Sequence, residues 1–153
     1  MKLAAILNEL LCPLGFKRTN MSWLRHKNGL LIRVSFYADR FGGPGHLDVA
    51  LTISESKIDK QRPGDWEAVN EIHNLIPSGF QIDPLMKKDL NDDETEKLRR
   101  VLVSEAIPFL EKLENPMHAA AIVRTGNWPV RNRFMERIAM LVVESSTNED
   151  TIS

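Results

Sequence analysis

The sequence predicts an α+β domain: an antiparallel sheet of three to five strands, with an N-terminal helix and C-terminal helices packed on one face. Three observations support this class. The first residues carry apolar side chains at helical spacing, the pair Asn28-Gly29 separates two β-like runs, and several later segments begin with helix-capping residues. Because the strands follow one another through short loops, the sheet is predicted to be a meander.

The N-terminal segment is predicted to form an amphipathic helix. Its apolar residues recur at helical spacing, at Leu3, Ile6, Leu7, Leu10, Leu11 and Leu14. Asn8 and Glu9 interrupt the apolar run and no small-residue cleavage pattern follows, which argues against a secretory signal. Pro13 and Gly15 then end the helix.

The clearest local signal is the pair Asn28-Gly29, which is preferred in two-residue type I′ hairpin turns because both positions need positive φ. This turn places Trp23 opposite Val34 and Arg25 opposite Ile32. One face of the hairpin is then apolar, with Met21, Trp23, Ile32, Val34 and Phe36. The other face is mixed, with Ser22, Leu24, His26, Leu31, Arg33, Ser35 and Tyr37.

A third strand is predicted at 46–54, where residues alternate between apolar and polar side chains. Its inward residues are Leu47, Val49, Leu51 and Ile53, and Asp48 points to the opposite face. The connection before it, DRFGGPGH, is rich in glycine, as phosphate-binding loops are. A strand follows instead of a helix, and no Gly-Lys-Ser/Thr run is present, so the segment is predicted to be a turn.

The second half of the chain is predicted to be mainly helical. We expect a short helix capped by Asp65, a short strand at 80–82, and a helix that begins at Asn91 with a capping box completed by Glu94. Asn115-Pro116 is predicted to begin another helix, and residues 127–129 to open the last one. The chain is interpreted as one domain over 1–144, with a frayed tail over 145–153.

Composition places the chain among cytoplasmic proteins. No apolar run approaches the roughly 18 residues that span a bilayer, so no membrane segment is predicted. The single cysteine, Cys12, cannot form an internal disulfide, which is typical of a reducing compartment. Its apolar neighbours predict a buried side chain and no reactive thiol.

Recognisable catalytic motifs are missing from the sequence. The four histidines, His26, His46, His73 and His118, form no pair at metal-ligand spacing, and no serine or cysteine nucleophile motif is present. The acidic residues around 89–96 are typical of a helix N-terminus. We therefore predict no catalytic residues, no metal and no cofactor, while a site assembled across the fold stays open.

Nucleic-acid binding is disfavoured as well. Residues 1–62 contain ten Lys/Arg against five Asp/Glu, but residues 63–114 contain six against twelve, and the whole chain has a formal charge of −1. The predicted hairpin register turns Trp23 and Phe36 to the core, so Tyr37 remains as the main aromatic for base stacking.

A family resemblance is carried by the run LCPLGFKRTNMSWLRHKNGLLIRVSFYADRFGGPGHLDVAL. Leu14-Gly15-Phe16-Lys17, Trp23 and Phe41 stand where a bacterial family known as a domain of unknown function (number 4304) typically has the same residues. The later run EAIPFLEKLENP resembles the late helix of that family. The resemblance implies a bacterial α+β protein, and it implies no catalytic residues.

The function predicted from these observations is non-catalytic binding of another macromolecule, in the manner of an immunity protein that binds another protein. The contact residues are predicted to be Arg33, Tyr37, Arg40, Phe41 and Asp48, which lie on the mixed sheet face and its rim. The alternative is an enzyme or a small-ligand-binding protein whose site is assembled across the fold.

Overall fold

A single antiparallel sheet of five strands forms the centre of the structure, a computed structural model that describes residues 1–53 and 66–152, with side chains as far as Glu144. The strands lie side by side in chain order, which is the meander predicted from the sequence. They are β1 (Lys17–Thr19), β2 (Ser22–Lys27), β3 (Leu30–Tyr37), β4 (His46–Ile53) and β5 (Ala68–Glu71).

The described residues also contain six α-helices, and the predicted α+β class is confirmed. They are α1 (Leu3–Leu11), α2 (Gly79–Ile82), α3 (Asp92–Val101), α4 (Ile107–Lys112), α5 (Pro116–Thr125) and α6 (Phe134–Ile152). A π-helical turn, Leu102–Ala106, joins α3 to α4. Asn91 and Glu94 form the predicted capping box, and Asn115 caps α5 with Pro116 as its first residue.

The hairpin register predicted from Asn28-Gly29 is confirmed. Lys27 pairs with Leu30, and Trp23 pairs with Val34. Asn28 has φ +55° and Gly29 has φ +80°, the left-handed conformation that a type I′ turn requires. In the next pair of strands, Val34 lies opposite Val49, so the apolar residues of β2, β3 and β4 share one face.

The core lies between that apolar face and the helices. Leu7 and Leu11 of α1, together with Leu102 and Leu110 from the α3–α4 segment, line a small apolar cavity against Val34 and Val49. Trp23 is fully buried, and its indole Nε1 donates a hydrogen bond to Asn8 Oδ1 of α1 at 2.8 Å. The polar atom of this core aromatic is thereby satisfied.

Two secondary-structure predictions in the middle of the chain are wrong. The segment predicted as a short helix contains β5, which pairs with β4 through Val69 opposite Ala50, followed by a 3₁₀ turn at Ile72–Asn74. The segment predicted as a strand at 80–82 belongs to α2. A run of apolar residues as short as the one in β5 is compatible with a helix or a strand. It forms a strand here because it pairs with the open edge of the sheet at β4. The expected N-cap, Asp65, lies outside the described residues.

Two further expectations need correction. The last helix begins at Phe134 instead of 127–129, because Asn132 and Arg133 have φ +57° and cannot continue a right-handed helix. Helix α6 includes 145–152, and the fraying of that range stays a prediction. Cys12 is exposed, not buried, because the chain leaves α1 there into a 3₁₀ turn at the surface.

A buried charge pair fastens the hairpin to the helical layer. Arg25 lies almost wholly buried on the core side of β2, and its guanidinium stacks over Phe16 with 4.6 Å to the ring centroid. Its Nη1 lies 2.8 Å from Glu114 Oε1 and donates to Leu14 O at 3.1 Å. Glu114 also contacts Lys27 at 3.1 Å, and its backbone carbonyl accepts from Asn28 Nδ2 at 2.9 Å. Glu114, which follows α4, therefore binds both strand β2 and the Asn28-Gly29 turn.

We expect Glu114→Gln to lower the free energy of unfolding by about 3 kcal/mol, because it removes the negative partner of a buried arginine. Lys27→Met is the matched control: it removes the exposed partner of the same carboxylate and should cost less than about 1 kcal/mol. Urea unfolding of the two variants provides the measurement. Equal losses would show that Arg25 does not depend on Glu114 for its charge.

Candidate metal centre

The polar face of the sheet brings together one histidine and two carboxylates from two strands. His46 and Asp48 are two residues apart on β4, so their side chains point to the same face. Glu71 lies directly opposite Asp48 on β5. One ligand atom from each of these three half-buried residues lies within 4.8 Å of the other two. We call these residues the triad.

Each end of the triad is flanked by an aromatic ring stacked on a histidine. Tyr37, opposite His46 on β3, stacks on its imidazole with centroids 5.1 Å apart. At the other end His73 Nδ1 lies 3.1 Å from Glu71 Oε2 and 3.3 Å from Asp83 Oδ1, and Phe80 stacks on the His73 ring at 4.9 Å. A histidine that contacts a ligating carboxylate is typical of the outer shell of metal sites.

Within the triad, Asp48 is the residue with a buried side-chain oxygen that lacks a hydrogen bond. Its Oδ1 is buried and has no hydrogen-bond partner, since the nearest imidazole nitrogen, Nε2 of His46, lies 3.6 Å away. Burial raises the pKa of the Asp48 carboxyl, and the negative charge of Glu71 adds to that rise, whereas the charges of His46, Arg33 and His73 oppose it. The nearby positive charges therefore compensate the burial of the Asp48 carboxylate only in part, and its Oδ1 makes no hydrogen bond within the described residues.

The donor set of the triad suits a divalent transition-metal ion. Imidazole nitrogen binds zinc, iron and nickel well, and carboxylate oxygen binds manganese well. Around tetrahedral zinc, with bonds of about 2.0–2.1 Å, ligand atoms lie about 3.3 Å apart. The separations of up to 4.8 Å in the triad would need to shrink by up to about 1.5 Å, which half-buried side chains can accommodate by small rotations.

The contact residues predicted from the sequence fall into two groups. Arg33, Tyr37 and Asp48 lie on the polar face, and the last two belong to or touch the triad. Arg40 and Phe41 lie in the β3–β4 loop, where Phe41 is 89% exposed. The role of all five in binding stays a prediction.

The loop itself is organised around an internal carboxylate. Asp39 Oδ1 accepts from the amide of Phe41 at 3.2 Å, and Asp39 Oδ2 accepts from the amide of Gly43 at 2.9 Å. Gly42 between them has φ +85°, a conformation that favours glycine. These two amides already bond an anionic group of the chain, so the loop is built as a turn.

The sequence pattern predicted Asp48 as a contact residue, but it did not identify His46 and Glu71 as the partners of Asp48. The His46-x-Asp48 spacing is a usable signal, because residues two apart on a strand share a face. Glu71 could not be added, because the segment that contains it was predicted to be helical. Its place opposite Asp48 depends on the β4–β5 pairing.

Comparison of the chain with protein-family models, with curated proteins and with solved structures found no match. The resemblance to the family of unknown function therefore stays a prediction. In the parts of the chain that the structure describes, every helix is too short or too polar to cross a membrane.

We expect Asp48→Asn to raise the free energy of unfolding of the metal-free protein at pH 7, since the variant removes a charge that burial penalises. A carboxyl whose pKa is raised in the folded state loses stability as pH rises from its ordinary pKa through the raised one. The variant should therefore match the wild type in acid and exceed it at neutral pH. Thermal melts from pH 3 to pH 8 in a chelating buffer would measure this difference. A variant less stable than wild type at pH 7 would contradict the assignment.

Proposed function

We propose that this protein binds a divalent transition-metal ion through His46 Nε2 and one carboxylate oxygen each of Asp48 and Glu71. The observation that carries the proposal is the convergence of these three ligand atoms within 4.8 Å. This function belongs to the class of ligand-binding proteins with a site assembled across the fold, since the ligands come from two strands, β4 and β5, that pair side by side in the sheet.

Two features of the surroundings support the proposal. The buried Oδ1 of Asp48 has no hydrogen-bond partner, and a metal ion would compensate its charge. The ring of Tyr37 stacks on His46 and restrains its imidazole. The imidazole of His73 contacts Glu71 and restrains its carboxylate. Restraint of this kind reduces the cost of ordering the ligands when the metal binds.

Titration of the purified protein with Zn²⁺ or Mn²⁺ by calorimetry tests the proposal. We expect one ion per chain, and we expect His46→Ala and Asp48→Ala each to weaken binding at least about 100-fold, as loss of one of three ligands should. Glu71→Gln should weaken it less, because an amide oxygen can still coordinate.

His118→Ala is the matched control, since His118 lies exposed on α5 and outside the triad. It should bind the ion as tightly as the wild type. The proposal is wrong if the wild type binds neither ion in the micromolar range, or if the His118 and His46 variants lose affinity equally.

We propose partner binding through the β3–β4 loop as a second candidate function, in line with the immunity-like role predicted from the sequence. The observation that favours it is Phe41, an aromatic side chain 89% exposed on a loop that Asp39 holds in a fixed turn. Exposed aromatics on preorganised loops are typical of the residues that dominate protein interfaces.

A photocrosslinking amino acid at position 41 should capture one protein in cells of the source organism, whereas the same amino acid at the exposed Met117 of α5 should not. Phe41→Ser should abolish binding of the captured protein and change the free energy of unfolding by less than about 0.5 kcal/mol. Capture of the same proteins from both positions would count against this candidate.

A further inference from the structure

Arg33 is a buried cation of the polar face, and it has no ion-pair partner among the described residues. It lies on β3, and because Ser35 pairs with Asp48 and Arg33 with Ala50, Arg33 and Asp48 are diagonal neighbours on one face. Its side chain is 8% exposed, and its Nε has no hydrogen-bond partner. Across residues 1–53 and 66–144, none of the ion pairs includes the Arg33 guanidinium.

Arg33 is close enough to the triad to act on it electrostatically. Its positive charge lowers the pKa of Asp48, against the larger effect of burial. A divalent ion bound to Asp48 and Glu71 would be neutralised by the two carboxylates, so Arg33 would leave one excess positive charge beside the ion. An arginine in this position opposes metal binding unless an anion accompanies the metal.

We propose that the metal ion of the triad binds an oxyanion, a phosphate or a carboxylate, whose second oxygen accepts hydrogen bonds from the Arg33 guanidinium. This inference rests on the proposed metal site. Three protein ligands leave at least one coordination position open for such an oxygen. The planar, permanently charged guanidinium matches the spacing of two oxygens on a phosphate or carboxylate.

The competing explanation gives Arg33 the role of balancing the charge of Asp48 and nothing more. The two explanations predict opposite responses to removal of the arginine. If Arg33 only balances charge, its loss leaves the effect of anions on metal binding unchanged. If Arg33 binds the anion, its loss abolishes the effect of anions on metal affinity. In the absence of oxyanions, the variant then binds the metal as tightly as the wild type or more tightly.

The test uses Co²⁺, whose visible absorption reports on its ligands, in a chloride buffer free of oxyanions. Adding inorganic phosphate or acetate at about 1 mM should tighten Co²⁺ binding about tenfold and change the absorption spectrum, the effect expected of a charge-assisted hydrogen bond. Arg33→Met should bind Co²⁺ but lose this response, and Arg33→Lys should keep part of it. Arg124→Met, an exposed arginine of α5, should respond as the wild type does.

The possible outcomes distinguish failure of the proposed metal site from failure of the proposed anion site. Failure of the wild type to bind Co²⁺ at all overturns the metal site and the anion together. Binding of Co²⁺ that neither phosphate nor acetate affects overturns the anion alone, as does an unchanged response in a folded Arg33→Met variant. A response to phosphate only, or to acetate only, supports the proposal and identifies the class of oxyanion.

Discussion

The register between β3 and β4 is the constraint on which the rest of the structure depends. Val34 lies opposite Val49, so the apolar residues of both strands face the helices, and Tyr37 lies opposite His46 on the other face. Because side chains alternate with a period of two, a slip of one residue would reverse both faces. The same register therefore builds the hydrophobic core and places the triad on the opposite side.

Burial of β3 on both faces makes this register strict. Leu31, Arg33 and Ser35 are buried on the polar face, as Ile32 and Val34 are on the apolar face. Arg33 has no ion-pair partner among residues 1–53 and 66–144, and a buried arginine left in this way is costly in a fold whose net stability is small. Arg25, the other buried arginine of the sheet, has Glu114 as its partner. This contrast between the two arginines is the structural basis for the proposal that Arg33 and Asp48 take part in binding a ligand.

Local signals in the sequence were sufficient for the N-terminal half of the fold. The Asn28-Gly29 turn determines the β2–β3 register from two residues, and the alternation in β4 identifies its buried face. Strand β5 was not predicted, because its four residues form a strand only by pairing with β4. The same is true of the salt bridge between Arg25 and Glu114, whose partners are far apart in the chain.

The candidate site was only partly accessible from sequence for the same reason. Arg33, Tyr37 and Asp48 could be assigned to one face from alternation alone, whereas Glu71 needs the pairing of β5 and His73 needs the turn that follows it.

The central claim, that the triad binds a metal ion, is tested most directly by long-range ¹H–¹⁵N NMR spectra of the imidazoles during addition of Zn²⁺. One equivalent should shift the Nε2 resonance of His46 and leave His26 and His118 unchanged. Zinc binding that leaves His46 unchanged, or that shifts His26 or His118 in its place, would contradict it.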